Sequence, residues 1–295
     1  MKQLTAVTGF ILATVSALLS AQVPVPAQYS LVRRYHEGET LAYRMNGINE
    51  SWRYTIQSDS VVKKDANGAF FEEIRWSGMQ SNGQPVVLSA AMQQMWQRFS
   101  LDPNFILLPP NMSQLERQLV GPVTDFGTFY VDLWLVLKTG QLAKPGDHFR
   151  FSMPRPGSWA DGSRILVGED SIDFDMTWKG TNQADQTATL VIRHVPPAKP
   201  AIHLGADWMQ KPVADTPNNF VQVRKSQDGK FEAAVGQETF DVELKVDLKD
   251  GKILHGSMEN PVRTIERTCT DQALTQCDTA KPHDILRRIE ITLIQ

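Results

Sequence analysis

Alternation with a period of two dominates the chain. In "TFDVELKVDLKDGKILHGSM" (239–258), Phe240, Val242, Leu244, Val246 and Leu248 fall in one phase; Asp241, Glu243, Lys245 and Asp247 fall in the other. Successive side chains of an extended strand point to opposite faces. The segment therefore predicts a strand buried on one side and wet on the other, as in antiparallel sheet. Asp250-Gly251 then supplies a tight hairpin turn. "SIDFDMTW" repeats the pattern, with Ile172, Phe174, Met176 and Trp178 against Ser171, Asp173, Asp175 and Thr177. "WRYTIQ", "FRFSM" and "RIEITLI" do so over shorter lengths, and Asn67-Gly68, Asn82-Gly83, Asp161-Gly162 and Asp228-Gly229 mark turns. A faint repeat links "GETLAYRM" (38–45), "GDHFRFSM" (146–153) and, more loosely, "ETFDVEL" (238–244), each reading as a strand entry.

Two stretches follow a helical period instead. In "LSAAMQQMWQRF" (88–99), Ser89 is placed to cap, and Met92, Met95, Trp96 and Phe99 share one helix face. In "GPVTDFGTFYVDLWLVLKTG" (121–140), apolar positions 126, 129, 130, 133, 134 and 137 share another. Thr124 or Asp125 would cap its first turn, and Lys138 followed by Gly140 would end it. This helix, 126–138, carries Asp132 at its middle and falls short of the roughly 20 apolar residues that cross a bilayer. It reads as a core helix that packs Phe126, Tyr130, Leu133, Trp134 and Leu137 on a sheet. Residues 196–219 contain five prolines and no periodicity. So long a connection inside a compact domain is a lid or strap, and Ile202, Leu204, Trp208 and Met209 give it something to dock with.

The first residues add a compartment. Met1-Lys2-Gln3 precede the apolar run "FILATVSALLSA", and "VPVPAQ" follows with two prolines. One positive charge, a run too short to span, and small residues at Ser20 and Ala21 predict a secretory signal peptide over 1–21. Leu19 is larger than the usual small residue there, so the cut falls at or within a few residues of Gln22. The expected location is periplasmic or secreted. The two cysteines, Cys269 and Cys277 in "CTDQALTQC", are then expected to form a disulfide. So short a loop gives about 2.5 kcal/mol in the chain-entropy model, a local pin. The alternative, a redox or metal pair, lacks the C-x-x-C spacing.

Residues 22–295 read as a single β-rich domain, with halves at 35–110 and 141–295 joined by the helical segment 111–140. A formal charge of −3 and no long basic run give no reason to expect a nucleic-acid partner. No segment after the signal predicts a membrane span.

Motifs for chemistry are sparse. The six histidines (36, 148, 194, 203, 255, 283) stand singly, without metal-ligand spacing, and no G-x-S-x-G, P-loop or G-x-G-x-x-G occurs. No cofactor, metal ion or catalytic residue is assigned. Glu169, Asp173 and Asp175 share one strand face at a separation of roughly 6.5–7 Å between neighbours, which suits a carboxylate pair for glycoside hydrolysis or a calcium-like cluster. It equally suits a solvated face whose buried side is Ile172, Phe174 and Met176, and alternation favours that reading. Trp159 in "SWADGSR" and Trp208 in "GADWMQ" lie in loops, where an aromatic ring can grip a ligand or pack on the body. Asp173, Asp175, Trp159 and Trp208 are the candidate ligand contacts.

With "GETLAYRM"-like strand entries and "VDLKDGKI"-like hairpins behind a signal peptide, the chain resembles exported bacterial half-barrel proteins of the periplasmic lipoprotein-carrier type over residues 35–295. That resemblance implies a mainly β (α+β) fold: a large twisted antiparallel sheet or open half-barrel, with two or three helices covering one face. It also implies a non-enzymatic protein that binds an amphiphilic or hydrophobic ligand, or an envelope protein, on a concave face shaped by helix 126–138 and strap 196–219. The alternative is a carboxylate-dependent hydrolase of envelope or extracellular polysaccharide. The third reading is a scaffold or surface protein with no small ligand.

Overall fold

The computed structural model describes residues 31–100, 114–136, 141–154, 158–160, 164–168, 171–198 and 206–294. The segment 1–21 lies outside them. Among the described residues, fifteen strands form one antiparallel sheet.

Alternation decides which side of each strand is buried. In β13 (Asp241–Asp247), Val242, Leu244 and Val246 are buried and the acids and lysine between them exposed. In β9 (Ser171–Asn182), Phe174, Met176 and Trp178 are buried completely. Asn-Gly and Asp-Gly turns do what their chemistry suggests: Gly68, Asn82, Gly83, Gly229 and Gly251 all have positive φ, a conformation nearly free of strain for glycine and tolerated by asparagine. Gly251 also leaves room for the chain at Arg33, whose backbone lies 2.7 Å from where a Cβ would stand. There Arg34 N–H donates to the Asp250 carbonyl at 2.7 Å, and Glu39 accepts from Arg33 (2.7 Å) and Lys252 (2.9 Å). These contacts fasten the chain around residues 33–39 to the turn that follows β13.

Read by register, the fifteen strands occupy fewer positions. β12 (Phe231–Glu238) and β13 pair with β14 (Ile253–Cys269) as one strand, because Glu238↔Val262 and Asp241↔Glu259 keep the same offset. β6 (His148–Pro154) and β7 (Ser158–Ala160) likewise pair with β9 and β8 (Arg164–Gly168) without a shift, from Pro154↔Ser171 to Ser158↔Val167. β10 (Thr187–Val195) and β11 (Phe220–Lys225) share the next position. The sheet is then a meander running β3, β2, β1, β15, β14, β12/β13, β10/β11, β8/β9, β6/β7. Here β1 is Thr40–Asn49, β2 Trp52–Lys64, β3 Phe70–Ser81 and β15 Lys281–Leu293. The first described strand, β1, lies mid-sheet, and the chain runs from it to the β3 edge, where β4 (Gln84–Val86) and β5 (Gln97–Ser100) add short strands. It then crosses to the far edge and meanders back to β1.

The crossing element is α2 (Arg117–Val136). It begins nine residues before the predicted start at Phe126 and holds Pro122 inside it. Gly121-Pro122, ahead of the expected start, is helix interior. Neither expected cap acts as one: Thr124 donates back to the Val120 carbonyl at 2.7 Å, and Asp125 is buried in a tertiary contact. Phe126 is 1% exposed, its ring edge-on to Trp76 at 5.1 Å, as a core helix requires. The side chains of Tyr130, Leu133 and Trp134, and residues Leu137 and Lys138, lie outside the described residues. The helix is not long and apolar enough to cross a membrane.

The expected helix over 88–99 is also corrected. Ser89 does cap, accepting from Met92 N–H at 3.3 Å, but the helix, α1, spans Ala90–Gln94 alone. Gln97 accepts from Trp76 Nε1 at 2.8 Å, and Phe99 enters the core from β5. Pairing to the open edge of β3 overrides the helical period, leaving Trp96 43% exposed.

The described strap, Ala206–Asn219, packs on the face opposite α2. Ala206 and Met209 join Val221, Ala233 and Val235 in a second apolar cluster, with Trp208, Val213, Val223, Ile265 and Leu274 against it. In β12 and β14 these are the odd positions, whereas Met258, Asn260 and Val262 on the α2 side are even. Strap and helix therefore shape opposite faces, not one.

Candidate functional site

The sequence candidates disperse. Asp173 and Asp175 lie on the wet side of β9, Asp175 in register with Arg150 and Arg193. Asp173 accepts from Ser152 Oγ and from Arg150 Nη2 at 2.8 Å. The Ser152 hydrogen bond, against partial burial, and then Arg150 hold its carboxyl below the usual range. A carboxylate kept ionised this way is poorly suited to donate a proton. Trp208 is committed to packing: Nε1 donates to the Leu274 carbonyl at 2.9 Å, and the Arg267 guanidinium stands 5.2 Å from its ring centre. Trp159 pairs through its backbone with Leu166; its side chain, and Glu169, lie outside the described residues. Cys269 and Cys277 are bonded to each other, sulfur to sulfur 2.02 Å. Among the described residues, no three His, Cys, Asp or Glu side chains are grouped to hold a metal ion.

A polar cluster that sequence reading passed over lies under α2. Arg287 of β15 stands opposite Asn260 on one side and Asn49 on the other. Its Nη2 donates to Asp125 of α2, and its Nη1 to Asn260 Oδ1 at 2.8 Å. Tyr54 Oη donates to the other Asp125 oxygen at 2.7 Å, and its ring fills the space a side chain at Gly47 would need. Asn260 Nδ2 reaches the Thr239 carbonyl at 2.8 Å and Glu238 Oε2 at 3.3 Å. Burial first, then the Asp125 charge, raises the Tyr54 hydroxyl well above its ordinary value. Burial works against the Arg287 charge, yet Asp125 and Glu238 raise its pKa on balance. Asp125 is paired with Arg287 and Tyr54, so the cluster docks the helix on the sheet.

Beyond this cluster the α2-side phase changes character. On β11, β12, the end of β14 and the start of β15 it presents Gln222, Arg224, Glu232, Ala234, Glu266, Thr268 and Lys281 around an open groove of about 250 Å³. The small Ala234, between Gln222 and Glu266 in register, makes the hollow. Arg224 pairs with Glu232 (Nε 2.9 Å), Glu266 with His283 (3.5 Å) and Lys281 with Asp278 (3.1 Å). The lining is thus charged but close to balanced. In the same phase of β14, Thr264 is 7% exposed and its Oγ1 has no hydrogen-bond partner among the described residues.

Comparison with protein-family models, curated proteins and solved structures gave no match. The chain's own residues carry the functional reading. One signal could have found the buried cluster: Arg287 follows Ile285 and precedes Ile289 and Ile291 in the apolar phase of β15, and Asn260 sits likewise between Met258 and Val262. A charged or amide residue in a buried phase needs a partner.

Proposed function

We propose that the protein is an exported, non-enzymatic binding protein that holds the polar part of an amphiphilic ligand, or a polar segment of an envelope protein, in the groove around Ala234. Export is supported by the signal-like residues 1–21 and by the Cys269–Cys277 bond, which suits an oxidising compartment. The observation that carries the reading is a contrast within one sheet face. Where α2 lies, Trp76, Trp178, Phe126 and Phe174 fill the face and are at most 1% exposed. Around Ala234 the same face is open, and hydrogen-bonding side chains converge on about 250 Å³. Convergent polar groups in a concave site fix the orientation of a ligand's polar part.

Native mass spectrometry of the protein purified from its own compartment tests this, run beside Ala234→Trp, which fills the groove from its floor. The expected result is a bound species on the wild type that is absent or much reduced on the variant, with unfolding midpoints alike. An equal load on both would place the ligand elsewhere.

A further inference from the structure

We infer that the strap is a hinged cover that opens from its sheet face as one unit while the sheet beneath it stays folded. This goes beyond the groove reading and concerns the opposite face. The first support is register. From Arg193↔Asp241 to Phe220↔Gly236 the chain advances 27 residues while its partner recedes five, a surplus of 22 (27 minus 5), and the strand resumes in place. The sheet does not need those residues to be continuous.

The second support is that the gap they leave is already closed. Asn219 Nδ2 donates to the Glu238 carbonyl at 2.8 Å, and Glu238 N–H donates to Asn219 Oδ1 at 2.9 Å. One amide side chain thus satisfies both Glu238 backbone groups where the neighbouring strand is interrupted. An unsatisfied buried backbone pair would otherwise oppose opening.

The third is that the strap holds itself together. Asn218 Nδ2 donates to the Met209 (2.9 Å) and Lys211 (2.8 Å) carbonyls, and Asn218 Oδ1 accepts from Val213 N–H at 3.0 Å. Its apolar contacts form a cluster separate from the main core. Among the described residues, Trp208 ties the strap to the body through its hydrogen bond to Leu274 in the disulfide-closed loop, with Arg267 at the ring, and Asn219 ties its end to Glu238. A segment clasped to itself, with an apolar cluster of its own, is the kind that opens sub-globally. Opening uncovers Val221, Val223, Ala233, Val235 and Ile265.

Hydrogen-exchange mass spectrometry on the full mature chain reads the opening at peptides covering Met209 and Val213. These amides should exchange together and faster than those of β11 and β12, and Trp208→Ala should speed them about tenfold, as loss of a hydrogen bond and a ring contact implies. The rates in β1, β2 and β3 should not move. Strap amides that exchange no faster than β11 and β12, or a Trp208→Ala that speeds the whole sheet equally, would overturn the inference. Removal of residues 197–218, which preserves register, is the second variant: it should fold and unfold cooperatively near the wild-type midpoint. A deletion chain that does not fold would make the strap part of the sheet's structure and overturn it as well.

Discussion

The α2-bearing half and the strap-bearing half of the sheet are built from the same kind of strand and put to different use. In the first, large side chains from β1, β2, β3, β9, β10, β13 and β15 meet Leu119, Val123 and Phe126 of α2 in one contiguous core. The face opposite carries ion pairs such as Arg75–Asp59, Arg150–Asp173 and Arg193–Asp241. In the second, one face carries a small apolar cluster closed by an excursion of the chain, and the other carries a polar groove. The larger apolar core lies where both flanks of the meander share a helix. Accessible chemistry concentrates where the helix stops.

The comparison is broken most easily by large substitutions. Trp76→Ala, in the α2 half, should cost about 3–5 kcal/mol in urea unfolding, as a fully buried tryptophan does. Val223→Ala under the strap removes less, from a smaller and half-buried site, and is expected to cost about 1 kcal/mol. If the two costs came out equal, the division into a stabilising half and an accessible half would fail.

Arg287→Met comes next. Asp125 is 6% exposed, and stripping it of its cation should cost about 3 kcal/mol. The double change Arg287→Met with Asp125→Leu should recover much of that loss, because no buried charge is then stranded. A double variant as unstable as the single one would mean that the cluster acts through something besides charge pairing.

Acid sharpens the same contrast. Burial pushes the Glu39 carboxyl up, but hydrogen bonds from Lys252 and Arg33 and their charges hold it below its ordinary value. A folded-state value below the unfolded one gives stability that is present above about pH 4 and is lost as pH falls through the folded value. Wild-type stability should drop on acidification in that range, and Glu39→Gln should flatten the drop. A variant with the same acid profile as wild type would remove Glu39 from the account. The smallest effect belongs to Asp173→Asn, on an exposed ion pair, where a change within about 0.5 kcal/mol is expected.

Much of the fold was legible because alternation is a local signal. Phe240 to Leu248 and Phe174 to Trp178 announce their buried side without knowledge of any partner, and D-G and N-G turns announce where strands reverse. Helix limits were less legible because competing contacts are long-range: β3 draws Gln97 and Phe99 into a strand, and Tyr54 with Arg287 turns Asp125 from an expected cap into a core group. The strap was visible as a proline-rich break, but its face depends on which phase of β12 and β14 it covers. The groove was least visible. Gln222, Ala234 and Glu266 come together only through cross-strand register, and no motif in the linear chain joins them.

Whether binding belongs to the strap-bearing half is read by hydrogen exchange of the protein with and without an extract of its own compartment. The account expects protection in peptides covering 220–236, 264–268 and 281–283, with β1, β2 and β3 unchanged. Protection confined to β1, β2, β3 or α2, with the groove peptides unaffected, would contradict it.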